Sequence, residues 1–289
     1  MASKYEDRTW ESSDGLTLHY RDYAGPEGGE KLPVLCLHGL TRNARDFAEL
    51  ADHLAKERRV IVPEMRGRGM SDYAPTSDTY NPAQYVSDVE KLLSEQKLER
   101  FISVGTSMGG LMTMMFAAKE PGRIAGALLN DIGPVIEAEG IAHIQGYVGH
   151  GRSFETWMHA ARALREVHSA AYPKFGIEQW LDMAKRVMVL GQGGRIAFDY
   201  DMGLAEPFSS AEEDAPPPDL WPAFEALGDV PLVLVRGAVS NILSEKTAQE
   251  MARRKPQLNL VTIADTGHAP LLNEPAALSA IDRLLEQVD

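Results

Sequence analysis

The stretch Phe101-Ile102-Ser103-Val104-Gly105-Thr106-Ser107-Met108-Gly109-Gly110 decides how this chain is read. Phe101 to Val104 is a short apolar run that predicts a strand. The stretch from Met108 to Lys119, stopped by Pro121-Gly122, predicts a helix. Gly105-Thr106-Ser107-Met108-Gly109 therefore falls in a strand-to-helix turn, the place where Gly-x-Ser-x-Gly forms a nucleophile elbow. A serine at the apex of so tight a turn is held in a strained conformation that pushes its hydroxyl out above the sheet. The flanking glycines are needed because a Cβ would collide with the neighbouring strand and helix. The same pentapeptide also suits a small-residue packing turn, so the rest of the chain must decide.

Two further segments favour the chemical reading. An earlier strand ends in Leu37-His38-Gly39-Leu40, where an acyl-transfer enzyme needs a backbone N–H aimed at the developing oxyanion; Leu40 and Met108 are the expected donors. Near the C-terminus, Asp265-Thr266-Gly267-His268-Ala269-Pro270 follows the last predicted strand. His268 is thereby placed on a loop at the sheet edge where the elbow emerges, as a general base requires.

Working outward, β-rich runs at Thr17–Tyr23, 34–37, 60–62, 101–104, 125–130, 232–235 and 258–263 alternate with helical patterns, which predicts an α/β fold with a mostly parallel sheet. A last helix is expected to open near Pro275, with Leu278, Ile281, Leu284 and Leu285 at helical spacing. From about residue 134 to 222 helical segments follow one another without an intervening strand, so this region reads as an insertion. Ser153 is the expected cap of a helix carrying Phe154, Trp157, Met158, Ala161, Leu164 and Val167. A second helix spans 177–190 with Trp180, Leu181, Ala184 and Val187, and Pro216-Pro217-Pro218 reads as a stiff connector back to the sheet.

Taken together, Leu37-His38-Gly39-Leu40, the run Glu64-Met65-Arg66-Gly67-Arg68-Gly69-Met70-Ser71, the elbow at Ser107 and Gly267-His268 make the chain similar to the α/β-hydrolase superfamily over nearly its whole length. It resembles most the branch of esterases, enol-lactonases and C–C-bond hydrolases. That resemblance implies an eight-stranded, mostly parallel sheet flanked by helices, formed by residues 1–133 and 223–289, with residues 134–222 as a helical cap. A serine at the elbow argues against the haloalkane dehalogenases and epoxide hydrolases, which carry an aspartate there.

The resemblance also puts an acid in the loop after the seventh strand, where this chain reads Arg236-Gly237-Ala238-Val239-Ser240-Asn241-Ile242-Leu243; Asn241 occupies the acid's slot. Three readings follow. Asp131, at the end of the sixth strand, supplies the carboxylate to His268, as in some family members; or Asn241 orients His268 through its amide oxygen; or the site is weakened. Asp265 ranks last.

The function expected is hydrolysis of a small to medium carboxylic ester or lactone through an acyl-enzyme, with Ser107 as nucleophile and His268 as base. C–C cleavage of a vinylogous diketone and a hydrolase-like binding protein are the alternatives. His38, Gly39 and Arg42 are candidates for substrate contact beside the oxyanion loop, Arg42 toward a substrate carboxylate. Trp157, Met158, Trp180 and Met188 are candidates for an apolar pocket, against a plain packing role.

Composition bounds the rest. With 29 Lys and Arg against 42 Asp and Glu, a net charge of −13, the surface repels phosphate backbones and anionic lipids, so nucleic acid is an unexpected partner. The single cysteine, Cys36, lies in an apolar run and forms no intrachain disulfide. The charged start, Met1 to Trp10, lacks the apolar stretch of a secretory signal; a cytoplasmic protein is expected. The 18 uncharged residues Phe101 to Ala118 are interrupted by Ser103, Gly105, Thr106, Ser107, Gly109 and Gly110, which speaks against a membrane span. His143, His150, His159 and His168 lack metal-ligand spacing, so no metal is expected. Gly191-Gln192-Gly193-Gly194 lacks a dinucleotide context, so no cofactor is expected either. Arg66 and Arg68 read as residues of a turn after a strand.

Overall fold

The computed structural model describes residues 4–191, 193–209 and 218–289. Gln192, Pro216 and Pro217, and with them most of the expected proline connector, lie outside these.

In chain order, the first half contains strands β1 (Glu6–Glu11), β2 (Thr17–Tyr23), β3 (Val34–Leu37), β4 (Val60–Pro63), β5 (Phe101–Thr106) and β6 (Ile124–Asn130). Helices α1 (Ala48–Leu54), α2 (Pro82–Glu95) and α3 (Met108–Lys119) lie between them. The segment after β6 carries α4 (Ala138–Gln145), β7 (Ser153–Phe154), α5 (Trp157–His168), α6 (Ile177–Val187), β8 (Met188–Leu190), β9 (Ile196–Phe198), α7 (Glu206–Ser209) and α8 (Trp221–Glu225). The chain closes with β10 (Leu232–Gly237), α9 (Glu245–Arg254), β11 (Leu258–Ile263) and α10 (Pro275–Val288).

The main sheet has eight strands in the order β1-β2-β4-β3-β5-β6-β10-β11. Only β2 runs against its neighbours; the other pairs are parallel, as the alternation of strands and helices predicts. Period-two alternation splits the buried side chains between two faces. Leu35, Leu37, Ala127, Leu129 and Leu234 face α2, α3 and α9, while Val34, Cys36, Val60, Val104 and Val233 face α1 and α10. Each fully buried Val or Leu contributes about 1.5–3 kcal/mol. The apolar stretch from Phe101 is a buried strand followed by a buried helix, and among the described residues no helix is long and apolar enough to cross a membrane.

The structure adds one strand to those expected and departs from the expected elements in three places. The first strand, Glu6–Glu11, carries no apolar alternation because it is an edge strand whose only buried residue is Trp10, anchored by its indole N–H to the Asp88 carbonyl at 2.9 Å. The segment between β6 and β10 is not purely helical: β7, β9 and β8 pair as a small antiparallel sheet. Ser153 opens β7 rather than capping a helix. Thr156 caps α5, its hydroxyl accepting the His159 amide at 3.2 Å, and α6 ends at Val187.

The inserted segment has a core of its own, built from Ala160, Leu164, Trp180, Met183, Met188 and Ile196. Polar contacts tie it to the sheet domain. Arg45 binds the Asp199 carboxylate at 2.7 Å and the Arg186 carbonyl at 3.0 Å, Tyr80 donates to Asp201 at 2.5 Å, and the Gly267 amide donates to the Ala171 carbonyl at 2.6 Å.

Candidate active site

β5 ends at Thr106 and α3 begins at Met108, so Ser107 alone turns the chain. Its φ of 54° and ψ of −118° lie in a region that costs a side-chain-bearing residue about 1–3 kcal/mol. The surroundings hold it there: its amide donates to the Asn130 carbonyl at 3.0 Å, and its carbonyl accepts the Gly110 and Leu111 amides at 2.8 and 3.1 Å. A Cβ on Gly105 would run into the Gly109 backbone, and one on Gly109 into the Leu37 carbonyl. These are the collisions that the elbow sequence anticipates.

His268 reaches this hydroxyl from the loop after β11. Its Nε2 is 2.8 Å from Ser107 Oγ and its Nδ1 is 2.8 Å from Asp131 Oδ2. Asp131 directly follows β6 with a φ of 55° and is fully buried. Its Oδ1 accepts the Gly237 amide at 2.8 Å, and its Oδ2 also accepts the Ser240 hydroxyl at 2.5 Å. An ionised carboxylate can only accept, so Nδ1 carries the proton and Nε2 is left to accept from Ser107. A proton can pass from the hydroxyl to the imidazole without further rearrangement.

Of the two residues that the sequence leaves open as partner of His268, the geometry brings Asp131 to the imidazole. Both ring nitrogens are occupied by Ser107 and Asp131, and Asn241 lies on the wall of the adjoining cavity instead. Asp265 pairs with Lys174 at 2.5 Å. The β10 loop contributes through Ser240, which sequence reasoning missed. Besides holding Asp131, its hydroxyl oxygen accepts the Ile242 and Leu243 amides at 3.2 Å each, which fixes the loop around the carboxylate.

On the other side of Ser107, the Leu40 and Met108 amides donate to no protein acceptor among the described residues. Arg68, taken from sequence as part of a turn, is fully buried and braces both residues. Its Nε donates to the Leu40 carbonyl at 2.8 Å, its Nη1 to the Arg66 carbonyl at 2.7 Å, and its Nη2 meets Met108 Sδ at 3.7 Å. Its guanidinium also lies over the Tyr85 ring, 4.6 Å from the centroid.

His38 is not at the surface of the site. It is fully buried, donating Nδ1–H to the Gly39 carbonyl at 2.8 Å and accepting the Met65 amide on Nε2 at 3.0 Å. Burial, and after it the Arg68 charge, pushes its pKa down to about 4, so it is neutral and ties two loops together.

Ser107 and His268 open into a cavity of about 330 Å³, also lined by Gly39, Leu40, Arg42 and Asn241. Of the four candidates for an apolar pocket only Trp180 lines it. Trp157, Met158 and Met188 do not; Trp157 and Met188 belong to the core of the inserted segment, because the apolar faces of α5 and α6 meet each other. Their place is taken by residues that helical periodicity does not mark, among them His143, Tyr147, His168 and Tyr172.

Residues 33–275 match the family model of the alpha/beta hydrolase fold. The chain belongs to the α/β-hydrolase fold family. It is 34% identical over 268 residues to a protein named 3-hydroxybutyrate-oligomer hydrolase from Cupriavidus necator, covering 91% of this chain and 90% of that protein. A 2-(acetamidomethylene)succinate hydrolase from Mesorhizobium japonicum is 25% identical over 254 residues, 88% of this chain and 85% of the relative. Among solved structures, an α/β hydrolase from Novosphingobium aromaticivorans superposes with a TM-score of 0.94 at 56% identity, covering 99% of this chain and 100% of that one. The eight-stranded, mostly parallel sheet that the motifs imply is thus the fold of this hydrolase.

Proposed function

We propose that this α/β hydrolase is a serine hydrolase that cleaves a carboxylic ester or lactone of small to medium size through an acyl-enzyme. One observation carries this reading: the unbroken relay Ser107 Oγ to His268 Nε2 and His268 Nδ1 to Asp131 Oδ2, each step 2.8 Å, opening into the cavity.

In the first half-reaction Ser107 Oγ attacks the ester carbonyl while its proton moves to His268 Nε2. Asp131, held by Gly237 and Ser240, stabilises the imidazolium. The Leu40 and Met108 amides receive the oxyanion, a donor pair whose members are each worth roughly 2.7–4 kcal/mol in comparable sites. The imidazolium then protonates the departing alkoxide. In the second half-reaction His268 takes a proton from water as the hydroxide attacks the acyl carbonyl; the bond to Ser107 Oγ then breaks, the imidazolium returns its proton to Oγ, and the acid leaves. In this reading the segment between β6 and β10 acts as a cap, supplying His143, Tyr147, His168 and Tyr172 to one wall of the cavity. The relative that shares 34% of its residues across nearly its full length is named for an oligomer of a hydroxy acid, which makes short hydroxy-acid esters the first substrates to try.

Hydrolysis of p-nitrophenyl butyrate followed by stopped flow tests the reading. A burst of p-nitrophenolate equal to the enzyme concentration, abolished in Ser107→Ala, is the expected result. Turnover that survives Ser107→Ala within threefold overturns it.

A further inference from the structure

The proposed relay leaves one end of the cavity unused, and that end is rich in hydrogen-bond donors. Arg42 sits one turn beyond the oxyanion loop. A side chain on Gly39 would meet Arg42 Cγ at 3.3 Å and Ser107 Cβ at 3.6 Å, so the arginine stem runs beside the serine. The Arg42 Nε donates to Asp46 Oδ2 at 2.5 Å, while its two Nη groups have no protein acceptor among the described residues. A guanidinium carries five N–H donors in a planar fork, and the free edge of that fork matches a carboxylate.

The inserted segment faces this arginine across the cavity with three aromatic rings. His143 lies 5.5 Å from Tyr147 and 6.0 Å from His168, and Tyr147 lies 5.1 Å from His168, all edge to face. All three line the cavity with Arg42, and none of their side chains bonds to a protein group among the described residues. Two acidic residues line the cavity with them: Asp46, which pairs with Arg42, and Glu139, one helical turn before His143 on α4. Burial, and after it the Arg42 charge, pushes the His168 pKa down to about 4, so its ring faces the cavity neutral. The free edge of the Arg42 fork, beside the serine and among unpartnered polar rings, forms a place for a carboxylate.

We propose that Arg42, with His143, Tyr147 and His168, binds a free carboxylate of the substrate, so that the esters this enzyme prefers carry a carboxylate a few bonds from the carbonyl under attack. A chain of hydroxy-acid esters ends in just such a group. The inference rests on Ser107 being the nucleophile, and the test separates the two.

Hydrolysis of 3-acetoxybutyrate is compared with that of 3-acetoxybutyramide by acetate release, the two differing only in carboxylate against carboxamide. A charge-assisted contact of this kind predicts kcat/KM at least about tenfold higher for the carboxylate. In Arg42→Gln the ratio falls toward one, and Arg42→Lys keeps part of it. Binding of the same pair to Ser107→Ala, measured by calorimetry, reads the subsite without chemistry and is expected to favour the carboxylate to the same degree. If neither compound is hydrolysed yet Ser107→Ala still prefers the carboxylate, the anion site stands and the esterase reading falls. Equal kcat/KM and equal affinity for acid and amide overturn the inference with no Arg42 variant needed, whatever becomes of the nucleophile.

Discussion

Replacing Asp131 by asparagine changes one atom and should nearly silence the enzyme. In the wild type Asp131 Oδ1 accepts the Gly237 amide, while Oδ2 accepts both the Ser240 hydroxyl and His268 Nδ1–H. The Gly237 amide can only donate, so the asparagine carbonyl must stay at the Oδ1 position and the NH₂ must take the Oδ2 position. There it faces His268 Nδ1 as a donor. The imidazole answers by moving its proton to Nε2, which then cannot accept from Ser107. The charge that stabilises the imidazolium disappears as well. In serine proteases the equivalent change lowers kcat about 10⁴-fold, or about 5.5 kcal/mol of transition-state stabilisation. The same order of contacts here, carboxylate to Nδ1 and Nε2 to the serine, predicts the same order of loss for Asp131→Asn. The assay is p-nitrophenyl butyrate hydrolysis under saturating substrate, with thermal unfolding to confirm an intact fold. Retention of more than a tenth of the wild-type kcat would refute the reasoning. The companion variant Asn241→Asp should show no large gain, since Asn241 does not contact the imidazole.

Three further outcomes are expected. Ser240→Ala removes a 2.5 Å hydrogen bond from Asp131 and the acceptor of two loop amides, so kcat should fall about tenfold with KM little changed, as steady-state kinetics would show. Arg68→Met strips the buried Leu40 and Arg66 carbonyls of their donor and should cost about 3 kcal/mol of stability as well as lowering kcat; an unchanged melting temperature would contradict this. His38 binds its proton less readily folded, at about 4, than unfolded, at 6.5. The neutral ring therefore contributes stability that is fully present above about pH 6.5 and is lost as pH falls toward 4, amounting to about 3 kcal/mol. Urea midpoints of wild type and His38→Gln between pH 7 and pH 4.5 should converge as pH falls, and parallel curves would exclude this role.

Local chemistry was legible and long-range reach was not. The elbow at Ser107 and the loop at His268 could be read because their chemistry depends on immediate neighbours: glycines at a turn, a strand before it, a helix after it. The acid could not, because Asp131 and Asn241 both stand at strand ends on the same edge of the sheet. The positive φ of Asp131 and the donors Gly237 and Ser240, more than a hundred residues away, decide between them. Arg68 looked like part of a turn because its main partner is a backbone carbonyl 28 residues earlier, which leaves no mark on composition. The edge strand β1 escaped notice because edge exposure removes the alternation that betrays a strand. β7, β8 and β9 span only two or three residues each, too few to show a period. Trp157 and Met188 carry an amphipathic pattern that reports burial without saying what lies opposite, here the inserted segment's own core rather than the cavity.

The claim on which the rest depends is that Ser107 is the activated nucleophile. Treatment of the folded protein with a fluorophosphonate, followed by peptide mass spectrometry, tests it most directly. A single adduct on Ser107, formed in the wild type and slowed at least about 100-fold in His268→Ala, is the predicted result. An unmodified Ser107, or an adduct on another residue, would contradict it.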